Sequence, residues 1–119
     1  MLKVIIAGSR EFEDYYFLEK KLNHIFSKWP FSEIEVVSGG AKGVDHLGEM
    51  YAEAKGCALK VFPADWNEHG KAAGPIRNKQ MAEYATHLVA FWDGKSRGTK
   101  NLIDTAKKLE LKFKVIEIK

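Results

Sequence analysis

The chain has 119 residues, 45% of them hydrophobic and 29% charged, the proportions of one soluble globular domain with a core of its own. A net charge of +3 suits an anionic ligand and falls far short of the basic stripe of a nucleic-acid binder. The single cysteine, Cys57, excludes an internal disulfide, and no apolar run approaches the roughly 18 residues of a membrane span. A cytoplasmic domain covering residues 1–119 is therefore expected.

Lys3 to Ala7 is a nearly unbroken apolar run, which suits a central parallel strand buried on both faces. Gly8-Ser9-Arg10 closes it. Asp14 stands where a helix N-cap would be. Leu18, Leu22, Ile25, Phe26 and Trp29 form the apolar face of the first helix, and Pro30 stops it. Glu33 to Val37 is the second strand. It feeds Ser38-Gly39-Gly40-Ala41-Lys42-Gly43-Val44-Asp45, a glycine turn opening a second helix from about Gly43 to Lys55. Val44, Leu47 and Tyr51 share a face of that helix, and Gly56 is its C-terminal cap. Leu59 to Phe62 is the third strand. Pro63 to Gly74 shows no periodicity, and irregular stretches of that length usually serve function. A third helix begins at about Pro75, with Ile76, Gln80, Met81 and Tyr84 on one face. Leu88 to Trp92 is the fourth strand, and Asp93 to Thr99 a second glycine-containing turn. Leu102, Ile103, Ala106 and Leu109 belong to the fourth helix. Phe113 to Ile118, mixed in polarity, reads as an edge strand.

Strands alternating with helices predict an α/β, three-layer Rossmann-like domain: a mainly parallel five-stranded sheet with helices on both faces. Ligands in such folds sit at the carboxyl ends of the strands, where strand order reverses. A glycine turn between strand and helix makes a phosphate cradle there, because glycine admits left-handed angles and the first helical amides lack partners. Gly39-Gly40-x-x-Gly43 matches neither the dinucleotide fingerprint nor the P-loop. With Ser38, Ala41 and the helix N-terminus it is still the leading candidate, the alternative being a tight turn that binds nothing. Asp45 serves either the helix dipole, worth ~0.3–1 kcal/mol, or a sugar hydroxyl.

Gly8, Ser9 and Arg10 follow the first strand, where a guanidinium takes a phosphate in a forked geometry or joins a surface salt bridge. Arg77 and Asn78 open the third helix on the same rim, as ligand contacts or as a solvated helix end. Asp93, Gly94, Ser96, Gly98 and Thr99 form another anion-receptive turn, unless Thr99 only caps its helix. Asp65, Trp66 and His69 come from the long loop. Trp66 either stacks on a base, worth ~1–3 kcal/mol, or anchors the loop. His24, His46 and His87 lack metal-ligand spacing, so no metal is expected.

Together, Gly8-Ser9-Arg10, the Ser38–Asp45 turn, Ala73-Gly74-Pro75-Ile76-Arg77-Asn78 and the Trp92–Thr99 turn resemble the YspA/YpsA-related branch of the SLOG superfamily. Four motifs in order, across nearly the whole chain, carry the likeness. That superfamily is Rossmann-like. It includes the lonely-guy phosphoribohydrolases, the DprA DNA-binding proteins, and sensor domains for nucleotide-derived signals such as ADP-ribose derivatives. The resemblance implies a nucleotide or nucleotide-sugar ligand, held by a sensor, carrier or sponge. Arg77, followed by Met81, matches an arginine of the enzymes, and Gly98-Thr99 matches their phosphate-holding pair. Their catalytic glutamate is read at Asn101, whose amide neither stabilises an oxocarbenium-like transition state nor acts as a base. Binding is therefore expected ahead of N-glycoside hydrolysis, for which Arg77 and Asp45 are the catalytic candidates. It is also expected ahead of single-stranded DNA binding, against which the modest charge argues. Self-association, frequent among relatives, stays open.

Overall fold

Strand β1 (Leu2–Gly8) forms the middle of the molecule because it is apolar on both faces. In the computed structural model, which describes residues 1–119, Val4, Ile5 and Ile6 are at most 1% exposed. Side chains of a strand alternate between faces, and here Val4 and Ile6 enter one core while Ile5 and Ala7 enter the other. β2 (Ile34–Ser38) pairs with one side of β1 and carries β3 (Ala58–Val61) beyond it. β4 (His87–Trp92) pairs with the other side and carries β5 (Lys112–Glu117). Every pairing is parallel, with Val4 opposite Val36 and Ile6 opposite Val89. The result is the five-stranded Rossmann-like α/β sheet that the alternation of elements predicts. Strand order 3-2-1-4-5 reverses between β1 and β4, which opens a crevice at their carboxyl ends.

On one face, α1 (Tyr15–Ile25) and α2 (Val44–Lys55) bring Leu18, Leu22, Val44, Leu47 and Tyr51 onto Val4, Ile6 and Val36. A short helix, α3 (Trp66–His69), leads towards the other face. There α4 (Ala73–Tyr84) and α5 (Arg97–Lys108) bring Met81, Leu102, Ile103 and Ala106 onto Ile5, Val37, Leu88 and Ala90. Fully burying one of the larger aliphatic side chains stabilises by ~1.5–3 kcal/mol. Polar groups drawn into these layers are satisfied: the Tyr51 hydroxyl donates to Asn23 Oδ1 at 2.7 Å. Asp14 caps α1 by accepting from the Phe17 amide at 3.0 Å.

Several packing residues lie elsewhere than the periodicity predicts. α1 ends at Ile25, so Trp29 falls beyond its last turn and is 47% exposed. The 63–74 stretch is not irregular throughout. It contains α3, a 3₁₀ turn at Gly70–Ala72 and the start of α4 at Ala73, two residues before Pro75. On α4, Ala73, Asn78, Met81 and Ala82 face inward, while Ile76 and Gln80 are exposed. Counting apolar residues misses this face because a polar one, Asn78, occupies its centre and spends its amide on α5. Leu109 follows the end of α5 and is exposed. All five strands differ from the predicted limits by one residue at one or both ends, and β3 is an edge as well as β5. No helix is long and apolar enough to cross a membrane.

Candidate functional site

A cleft of about 450 Å³ opens where the strand order reverses, within the size range of small-molecule sites. Gly8 and Arg10 reach it from the end of β1, and Ala41 and Asp45 from the turn into α2. Trp66 of α3 and Gly74, Arg77 and Asn78 of α4 form a second wall. Ser96, Gly98, Thr99 and Asn101 close it at the start of α5. Pro75 and Arg97, which lie inside the sequence motifs without being singled out as ligand contacts, join them, as do Ala7, Met81 and Leu102. Arg97 could be placed at a helix start, since it directly follows Ser96, a cap-type residue.

Arg77 is the pivot. Its Nη1 donates to the Gly39 carbonyl and its Nε to Asn78 Oδ1 at 3.0 Å. Asn78, 4% exposed, donates from Nδ2 to the Gly98 carbonyl at 3.2 Å and to Asn101 Oδ1 at 2.9 Å. One chain of bonds thus ties the turn after β2, α4 and the first turn of α5. Two of the five guanidinium hydrogens are used, which leaves three for a ligand. Burial pulls the Arg77 guanidinium below its ordinary value, and the nearby Asp45 carboxylate pushes it back up. The two are not in a direct ion pair, and neither Arg10 nor Arg97 has a carboxylate within 4.0 Å. Gly39 lies between Arg77 and Asp45. A Cβ there would stand 2.5 Å from Arg77 Nη1 and 2.8 Å from Asp45 Oδ2.

Burial raises the Asp45 carboxyl above its usual range, against the Ala41 amide and the Arg77 guanidinium, which lower it. A folded-state value above the unfolded one means that the folded chain holds this proton more tightly. That stabilisation is complete below the ordinary value of 3.8 and is lost as pH rises through the raised one. Asp45→Asn, which cannot ionise, is expected to melt above the wild type at about pH 7, with the gap closing towards about pH 4. Thermal unfolding across that range checks it, and a gap that widens on acidification contradicts it.

The glycine turn is only partly open as a phosphate cradle, because three of its amides are consumed within the chain. Gly40 N–H donates to Ser38 Oγ at 3.1 Å, Ala41 N–H to Asp45 Oδ2 at 3.2 Å, and Val44 N–H to the Ser9 carbonyl at 3.1 Å. Ser38 is fully buried and its hydroxyl donates to Glu49 Oε2 at 2.6 Å, a partner that sequence spacing did not suggest. Ser9 is buried, with Oγ accepting from the Glu11 amide at 3.3 Å. Gly43 packs against the backbone of Ser9 and Arg10. Asp65 caps α3 through the Glu68 amide at 3.1 Å. Asp93 accepts from the Lys95 and Ser96 amides at 2.8 Å, and those bonds hold its carboxyl below the usual range. None of Ser9, Ser38, Gly43, Asp65, Asp93 and Gly94 lines the cleft; they build the loops that do. Gly39 and Gly40 border a smaller adjoining hollow.

α5 presents an open helix N-terminus to the cleft. Ser96 Oγ takes the Thr99 amide at 3.4 Å and meets Thr99 Oγ1 at 3.0 Å. The Arg97 and Gly98 amides have no acceptor in the chain, as expected for a first helical turn. The glutamate position also needs correction. Counted as Gly-Thr-x-x-Glu from Gly98, it falls on Leu102, not Asn101. Leu102 is 1% exposed, and neither residue is a carboxylate. Asp45 is the only acidic side chain lining the cleft.

Comparison with known proteins bears on the family and the fold. A family model described as "YspA, cpYpsA-related SLOG family" matches residues 2–69. The Gene 61 protein of Mycobacterium phage D29 is 32% identical over 114 residues, which cover 91% of this chain and 90% of the phage protein. DNA processing protein A (DprA) of Streptococcus pneumoniae superposes with a TM-score of 0.80 at 18% identity, over all of this chain and 51% of its own. The single-stranded-DNA-binding DprA of Helicobacter pylori superposes with a TM-score of 0.72 at 20% identity, over 99% of this chain and 66% of its own. The chain thus spans between half and two thirds of the DprA chains, and at these identities the likeness is one of fold.

Proposed function

Because the chain belongs to the YspA, cpYpsA-related SLOG family, we propose that its cleft binds a phosphate-bearing nucleotide or nucleotide sugar, as a sensor, carrier or sponge. One observation carries this reading: three guanidiniums, from Arg10, Arg77 and Arg97, line a cleft that holds a single carboxylate, Asp45. A phosphate between Arg77 and the first turn of α5 would take a forked pair of bonds from the guanidinium and the free amides of Arg97 and Gly98. Each bond to a charged group is worth ~1.5–3 kcal/mol net. Asp45, acceptor-only when ionised, would take a ribose hydroxyl. Trp66, half-exposed at the rim, offers a face to the base. Catalysis has weaker support, since the cleft lacks a second carboxylate to pair with Asp45 in acid–base work.

Single-stranded DNA is the second reading, favoured by the DprA likeness and by the exposed Trp66. It stands against the expectation from net charge alone. Calorimetric titration at about 150 mM salt separates the two. A mononucleotide that saturates one site while oligonucleotides of mixed sequence bind no more tightly supports the nucleotide reading. Oligonucleotide affinity that exceeds it and falls steeply with added salt supports the DNA reading.

A further inference from the structure

The cleft has a neighbour that the nucleotide reading leaves unused. A second hollow of about 240 Å³ lies on the β2–β3 side, bounded by Gly40 and Lys42 of the turn after β2 and by Pro63 and Ala64 after β3. Arg10, Ala41, Trp66 and Arg77 line both hollows, so the two guanidiniums stand at the boundary. The charged residues of the second hollow are Arg10, Lys42 and Arg77, with no carboxylate among them. The larger hollow contains the one acidic group, Asp45. The carboxylate and Arg97 lie on one side, two shared cations in the middle, and Lys42 alone on the far side, so the far side is the one without a negative charge.

We propose that the cleft takes a diphosphate: a nucleoside in the larger hollow, its α-phosphate between Arg77 and the first turn of α5, and its β-phosphate past Arg10 and Arg77 in the smaller hollow towards Lys42. A monophosphate would leave the second hollow and Lys42 without a partner. The amides of Gly40 and Ala41, which border that hollow, are already bonded to Ser38 and Asp45, which leaves Lys42 as the charged donor on its far side. The inference rests on the nucleotide reading above, and its test separates the two.

The full chain is titrated with AMP and ADP, and with GMP and GDP as a second matched pair. In the pair that binds better, the diphosphate is expected to bind at least about tenfold more tightly than its monophosphate. Ala64→Trp, which fills the second hollow, and Lys42→Ala, on an exposed residue, are each expected to lower that ratio towards one. A ratio near one in the wild type, or unchanged in both variants, overturns the diphosphate and leaves the mononucleotide reading standing. Absence of binding by all four nucleotides overturns both. ADP-ribose then separates the two sources of the same group. Affinity at least equal to that of ADP marks an esterified diphosphate, and weaker affinity a free terminal one.

Discussion

Arg77→Ala is expected to weaken nucleotide binding by about 100-fold or more. Arg77 reaches the cleft from α4 already oriented by the Gly39 carbonyl and Asn78, so a ligand finds a fixed guanidinium and does not bear the cost of ordering it. Removing one partner of a desolvated charged hydrogen bond costs ~2–5 kcal/mol, or about 30-fold to several thousand-fold at ~1.4 kcal/mol per tenfold. The fold should survive, although the buried Gly39 carbonyl loses its donor at a cost of ~1–3 kcal/mol. Arg77→Lys keeps the charge and loses the fork, and its affinity should fall between the two. Calorimetry on the three proteins, with melting curves as the check on folding, measures this. Affinity of Arg77→Ala within about threefold of the wild type would remove Arg77 from the site.

Gly43→Ala is expected to damage the fold severely through a single added methyl group. Gly43 holds φ +73 and ψ −128 immediately before α2, a region that side-chain-bearing residues avoid at a cost of ~1–3 kcal/mol. The added Cβ would overlap the Ser9 carbonyl oxygen and lie 2.6 to 2.7 Å from backbone atoms of Arg10. Backbone cannot swing aside as a side-chain tip can, and the same contact carries the Val44 N–H bond to the Ser9 carbonyl. The loop after β1 and the start of α2 would have to separate. A melting temperature lower by roughly 10 °C or more is expected, from about 3 kcal/mol in a domain of this size. Arg10 would be displaced from the cleft at the same time. Gly98→Ala is the control: nothing lies within 4 Å of its added Cβ, and alanine is favoured in a helix, so this variant should melt at or above the wild type. Equal melting of Gly43→Ala and the wild type would contradict the interlock.

The sheet was readable from the sequence because the burial of β1 and β4 on both faces leaves nearly unbroken apolar runs, and three shorter, more mixed strand segments alternate with helical periodicity around them. The α4 face was not readable, since its central residue is a polar Asn78 whose burial depends on partners on α5. The same limit shapes the site. Arg77, Gly98 and Thr99 could be placed on one rim from topology alone. Whether the Gly40 and Ala41 amides stay free depends on how Ser38 is held by Glu49 and on Asp45 folding back to Ala41, which no local rule reports. Arg97 carries no signal of facing the cleft, since a lone arginine in a polar turn has the same local pattern whether it faces a cleft or solvent.

The central claim is that an anionic nucleotide lodges between the carboxyl ends of β1 and β4, against α4 and the first turn of α5. Amide chemical-shift mapping by NMR during titration with the nucleotide that binds most tightly addresses it most directly. The account expects the largest shifts at Gly8–Arg10, Arg77–Asn78 and Arg97–Asn101, with Gly98 foremost. Shifts confined to the opposite end of the sheet, around Trp29 and Phe113, would contradict it.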